Sequence, residues 1–131
     1  MKIPLALFLL LLLLSMIGCG DVKVEGKVTF SDGTPLSTGK IIFEDATHTF
    51  TAKIREDGTF RLGKLKDGEG IPAGRYKVGV GEAFTEKFPA ADKPPVVKHL
   101  IVSKFRSPQT SGIEYDIQKK TTDISIIVEK P

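Results

Sequence analysis

Tryptophan and asparagine are absent from this 131-residue chain, and cysteine occurs once. One cysteine excludes an intramolecular disulfide, so the fold must rest on its apolar core. Histidine is nearly absent as well: His48 and His99 are the whole supply of imidazole. An excess of one charge is also missing, with 19 basic and 16 acidic side chains giving a net charge of +3. That balance makes no field strong enough to select nucleic acid. After Cys19 there is no stripe of apolar residues at helical spacing. The one long apolar run, Leu5 to Leu14, has 10 residues, about half of the ~20 that a membrane-spanning helix needs.

What is present begins with that run. Lys2 supplies a minimal positive start, and the apolar stretch has the length of a signal-peptide centre. It is followed by Met16-Ile17-Gly18-Cys19. This resembles the lipobox of bacterial lipoproteins, with Met16 standing where leucine is usual and the small Gly18 preceding the cysteine. The resemblance implies cleavage between Gly18 and Cys19, a diacylglyceryl group on the Cys19 sulfur, and acylation of the new N-terminus. Each buried methylene adds ~0.8 kcal/mol, so two or more acyl chains hold firmly where one is marginal. The expected organisation is a signal peptide over 1–18, a lipidated cysteine with a short tether over 19–21, and one domain over 22–131. The tether is too short for a stalk, which predicts a domain close to the bilayer.

From Val22 onward the apolar period is two. Val22, Val24, Val28 and Phe30 share one parity, with Gly26 among them. Ile41, Ile42 and Phe43 mark a second strand, Phe50, Ala52 and Ile54 a third, and Phe60 and Leu62 a short fourth. Tyr76, Val78 and Val80 alternate in a fifth, Ile113, Tyr115 and Ile117 in a sixth, and Ile124, Ile126 and Val128 in a seventh. Asp32-Gly33 and Asp57-Gly58 are turn pairs, since glycine takes positive φ freely. Gly79 and Gly81 inside a strand signal a bulge or a close approach of backbone. Seven short alternating strands predict an all-β protein, a seven-stranded antiparallel β-sandwich. Residues 83–112 are the exception, interrupted by Pro89, Pro94, Pro95 and Pro108. A structureless loop of that length is uncommon, so partial order is expected, with an edge strand in Val96 to Val102 and Phe105 returning to the sandwich; a mobile binding arm over the whole segment is the alternative.

The order of motifs is similar to a known family. Val24-x-Gly26-x-Val28, Asp32-Gly33-x-Pro35-Leu36, Gly39-x-Ile41, Asp57-Gly58-x-Phe60 and Pro72-Ala73-Gly74-x-Tyr76-x-Val78 follow one another. Lys104-Phe105, Pro108 and Thr110-Ser111-Gly112 come next, ahead of two strands. Together they resemble the carboxypeptidase regulatory-like, transthyretin-like domain, and small bacterial lipoproteins built from it alone. The resemblance covers nearly all of 22–131. It implies a prealbumin-like sandwich and little about activity.

The residues argue against an enzyme. No Gly-x-Ser-x-Gly motif is present. Two tyrosines and two histidines bind ferric iron in intradiol dioxygenases, but His48 and His99 lie far apart, and Tyr76 and Tyr115 fall at core parity. The Tyr-Arg-Gly-Ser ending of transthyretin-like hydroxyisourate hydrolases is missing. Without asparagine, the isopeptide bond of collagen-adhesin-type repeats could only be a Lys–Asp variant, Lys27 with Asp116 or Asp123. No metal-ligand spacing occurs, so no cofactor and no metal are expected; Asp21, Asp32 and Asp57 read as turn and cap residues. The expectation is a non-catalytic binding or structural accessory module of the cell envelope. It would be anchored to the cytoplasmic or outer membrane and face the periplasm or the exterior. Its candidate contact loop carries Phe84, Phe88, Lys98, Lys104, Phe105 and Arg106, and its candidate partner is an envelope protein or polysaccharide. Binding of carbohydrate or envelope polymer through Phe84, Phe88 and Phe105 is the alternative.

Overall fold

Residues 21–63 and 69–131 are described by a computed structural model. Gly18 and Cys19, with the whole of the expected signal segment, lie outside the described residues. Nine strands occur among the described residues: β1 (Val24–Phe30), β2 (Lys40–Glu44), β3 (Thr49–Lys53), β4 (Thr59–Arg61), β5 (Gly74–Gly81), β6 (Phe84–Lys87), β7 (Val96–His99), β8 (Ile113–Ile117) and β9 (Thr121–Val128). They form a three-stranded sheet in the order β4-β1-β9, a four-stranded sheet in the order β3-β2-β5-β8, and a separate β6-β7 hairpin.

Alternation builds the core. Val24 and Val28 of β1, Phe60 of β4 and Ile124, Ile126 and Val128 of β9 turn inward from one sheet. Ile41, Phe43, Phe50, Ala52, Tyr76, Val78, Val80 and Ile117 turn inward from the other, and all join one buried cluster. The rings of Phe43 and Phe60, 6.2 Å apart, join β2 to β4 across the sandwich. Gly26 shares the core-facing parity because Phe60 needs the space: a β-carbon there would lie 2.7 Å from the Phe60 ring. The same place carries a register irregularity between Val24 and Gly26 in the β1–β9 ladder.

All seven expected strands form, with two differences from the expectation. First, β1 and β9 run parallel, Val28 opposite Ile126 and Phe30 opposite Val128; the sandwich is therefore mixed, not wholly antiparallel. Alternation has the same period in either direction, so it carries no sign of this. Second, residues 83–112 contribute a two-stranded hairpin instead of one edge strand.

The rest of that segment is a strap. Ile101 is fully buried, and Val102 N–H donates to the Glu129 carbonyl at 3.0 Å. A single 3-10 turn over Ser103–Arg106 then buries Phe105. Pro108 crosses over Gly79, where a β-carbon would sit 2.6 Å from the Pro108 nitrogen. Gly79 is thus the site of close backbone approach that its position in the strand suggested. Thr110 Oγ1 donates to the Lys104 carbonyl at 2.7 Å, and the buried Ser111 hydroxyl donates to the Val78 carbonyl.

Asp32 and Asp57 close two turns of identical sequence, Asp-Gly-Thr. Each carboxylate accepts from the backbone N–H and the hydroxyl of the threonine two residues on, at 3.0 and 2.6 Å. Gly33 and Gly58 take φ of +89° and +84°.

Candidate functional site

β1 runs between the two ends of the sandwich and defines them. At its start, Val22 pairs with Ile71 and Thr121 N–H donates to the Lys23 carbonyl at 2.8 Å. At its finish, Phe30 lies beside Val128. Seven strand residues separate the ends by about 20 Å at ~3.3 Å each. The β6–β7 hairpin leaves the body at the far end, where Leu100 N–H donates to the Ala83 carbonyl at 2.9 Å.

The hairpin is an arm. β7 is exposed throughout, and β6 is exposed except for half-buried Phe84. Phe88 is 72% exposed, Val96 56% and Val97 46%, which makes the arm the main site of exposed large apolar side chains among the described residues, with Ile127 as the other. Phe84 pairs with His99 and meets its ring edge-on at 6.1 Å.

At the base of the arm lies an open groove of about 570 Å³. Phe30, Pro35, Leu36 and Leu100 supply apolar surface, and Lys98, His99 and Lys130 supply polar ends. Lys130 Nζ sits 5.0 Å above the Phe30 ring and 3.1 Å from Asp32 Oδ2. Hydrogen bonds from Thr34, with Lys130 beside them, hold the Asp32 carboxyl down at about 2. No acidic residue lines this groove among the described residues.

Of the expected contact residues, Phe88 and Lys98 lie on the arm and are exposed. Lys104 is exposed on the strap, with its ammonium 5.0 Å above the Phe105 ring. Phe105 itself is only 6% exposed and offers no contact surface; the 3-10 turn drives it into the core. Arg106 is half-buried and held down, its Nη2 and Nε donating to the Ile101 carbonyl at 3.2 and 3.4 Å. Of the three phenylalanines considered for stacking on sugar, Phe88 alone is well exposed. Phe30, Leu36 and Lys130 of the groove went unnoticed in the sequence because they come together only through the β1–β9 pairing. The position of Lys130 two residues after the last strand was the one available signal.

The other chemically suggestive residues are placed as follows. Tyr76 is buried and its hydroxyl donates to the Pro72 carbonyl at 2.5 Å. Burial pushes its phenol above the ordinary value, and the Asp45 and Asp21 carboxylates add to this. Tyr115 is half-buried and donates to the Ser125 carbonyl at 2.9 Å. His48 Nδ1 lies 2.8 Å from Thr47 Oγ1 and 3.4 Å from Asp45 Oδ1. A nucleophile–His–acid relay needs one ring nitrogen for each partner; here both share one nitrogen. Asp45 also accepts from the Thr47 and His48 backbone N–H groups, at 2.8 and 2.6 Å, which is the bonding of a turn cap. These bonds lower the Asp45 pKa, the Thr47 backbone N–H contributing most.

No protein-family model matches the chain, and no curated protein matches it. Among solved structures it is similar to BcpA, the major pilin subunit of Bacillus cereus, with 14% identity and a TM-score of 0.46. The match covers 86% of this chain and 31% of that one. A likeness of that degree carries no argument about activity. The all-β assignment and the two-sheet sandwich rest on the strands and core of this chain itself.

Proposed function

We propose that this protein is a lipid-anchored, extracytoplasmic accessory module of the cell envelope, binding or structural in role and not catalytic, with the β6–β7 arm as its contact surface. The observation that carries this reading is the separation of the two ends. Cys19, the proposed lipid site, precedes the first described residue by two positions and leads into the start of β1. The arm departs from the other end of the same strand. An anchor at Cys19 therefore presents the arm away from the bilayer, toward whatever lies farther out. The lipobox-like Met16 to Cys19 and the short apolar run before it support cleavage after Gly18. The sequential motifs support a domain of the carboxypeptidase regulatory-like, transthyretin-like type over 22–131: the Asp-Gly pairs occupy turns, Gly26 admits Phe60, and Pro108 to Ser111 fasten the strap.

The test is cross-linking in intact cells with tagged full-length protein, mass spectrometry of captured partners, and a Cys19→Ser control. A partner joined to residues 83–112 and lost in the control is the expected result. If nothing is captured and the protein is retained instead on purified envelope polysaccharide, the polymer-binding alternative replaces this reading.

A further inference from the structure

The arm has a free edge of defined polarity. In an antiparallel ladder, directly opposed residues alternate between pairs that exchange hydrogen bonds and pairs that do not. Leu100 N–H donates to the Ala83 carbonyl, so the 83–100 pair is of the bonded kind. Stepping by two along the register makes Thr85–Lys98 and Lys87–Val96 bonded pairs also. The N–H and C=O groups of Val97 and His99 therefore point away from β6. Among the described residues β7 has no neighbour on that side: the sheet contains β6 and β7 alone, and all of Val96–His99 is exposed.

Beside this strand lies the groove, lined on the β7 side by Lys98, His99 and Leu100. Its other wall carries Lys130 over Phe30, with Leu36 beneath. An occupant that pairs with Val97 and His99 while reaching the groove meets apolar surface between two ammonium groups. The Lys130 ammonium is shared with the Asp32 carboxylate at 3.1 Å, so Lys98 supplies the charge not already paired. That chemistry fits an extended segment with apolar and acidic residues. A second copy of this chain fits poorly, because edge-to-edge pairing of two β7 strands brings like-charged Lys98 side chains together.

We propose that β7 accepts an added strand from an acidic, extended segment of a partner protein, with Val97 and His99 supplying the main-chain bonds and Lys98 the charge recognition. This rests on the accessory-module reading and names the partner's chemistry. The edge groups of a lone hairpin are otherwise bonded only to water, and a two-stranded hairpin without a packed face is marginal on its own. Strand addition would satisfy the edge and give the arm a third strand.

The test uses full-length, isotope-labelled protein in detergent micelles and amide hydrogen exchange read by NMR. The probe is an end-blocked octapeptide of alternating Glu and Val; its control alternates Lys and Val. With the Glu peptide at about ten times its dissociation constant, exchange at Val97 and His99 is expected to slow about tenfold. The Lys peptide should leave both unchanged. Val97→Pro should abolish the effect while leaving the β6–β7 bonds intact, because the N–H it removes points outward. Equal protection by both peptides, no protection at millimolar peptide, or protection confined to other residues would overturn the proposal. So would protection of Val97 and His99 that grows with protein concentration in the absence of peptide, which is self-association. In-cell capture at 83–112 with failure of the peptide would reject the edge alone and leave the accessory role standing.

Discussion

The sandwich and the arm are made from similar residues and obey opposite rules. In the sandwich, Val24, Phe43, Phe60, Tyr76 and Val78 are fully buried, and every strand has a packed face. In the arm, Phe88, Val96 and Val97 face water, and strand pairing persists without a core beneath it. Apolar content alone therefore does not define an interior. What matters is whether a second sheet closes over it. Apolar side chains left outside such a closure mark the part of the molecule that is available to something else.

The largest expected effect separates these regions directly. Phe60→Ala should cost about 3–5 kcal/mol in chemical denaturation, since it opens a cavity where Phe43 and Gly26 meet. Phe88→Ala should change stability by no more than about 0.5 kcal/mol. Equal effects would mean that the arm packs on the body. Next comes Gly79→Val, which drives a side chain into Pro108 and should cost about 1–3 kcal/mol. Limited trypsin digestion should then cut faster at Lys104 and Arg106 of the strap, with cleavage at Lys87 and Lys98 of the arm unchanged. Tyr76→Phe is smaller, about 0.5–1.5 kcal/mol, because it leaves the ring and removes only the bond to the Pro72 carbonyl.

The smallest effect concerns the rim where the two regions meet. Asp32 titrates at about 2 instead of the ordinary 3.8. A lowered carboxyl pKa adds stability that is fully present above the unfolded value and is lost as pH falls through the folded one. Its contribution should therefore fade between about pH 4 and pH 2. In Thr34→Val the NMR titration midpoint of Asp32 should move up toward 3.8, because the side-chain donor is gone. No movement would assign the lowering to other partners.

Much of the sandwich was legible in the sequence, for a specific reason. Tyr76, Val78 and Val80, like Ile124, Ile126 and Val128, sit two apart, and period two places them on one face whatever their neighbours are. Strand direction is not encoded in that period, which is why the parallel β1–β9 pair was invisible. In the arm, β7 falls inside the edge strand expected over Val96 to Val102, but β6 was hidden for a different reason: Phe84–Lys87 shows no alternation, since neither face of the arm is buried. Phe105 was legible as a plug, because a lone aromatic among Lys104, Arg106 and Ser107 has nowhere else to go. The groove was not, because Phe30 and Lys130 are brought together by the same parallel pair.

That pairing of the first strand with the last also dictates an order of events. A chain synthesised from its N-terminus presents β1 to solvent long before β9 exists to cover Val24 and Val28. Loop closure over nearly the whole domain must precede those contacts, and such distant pairings form slowly. The finished domain thus clasps shut only when its final strand arrives.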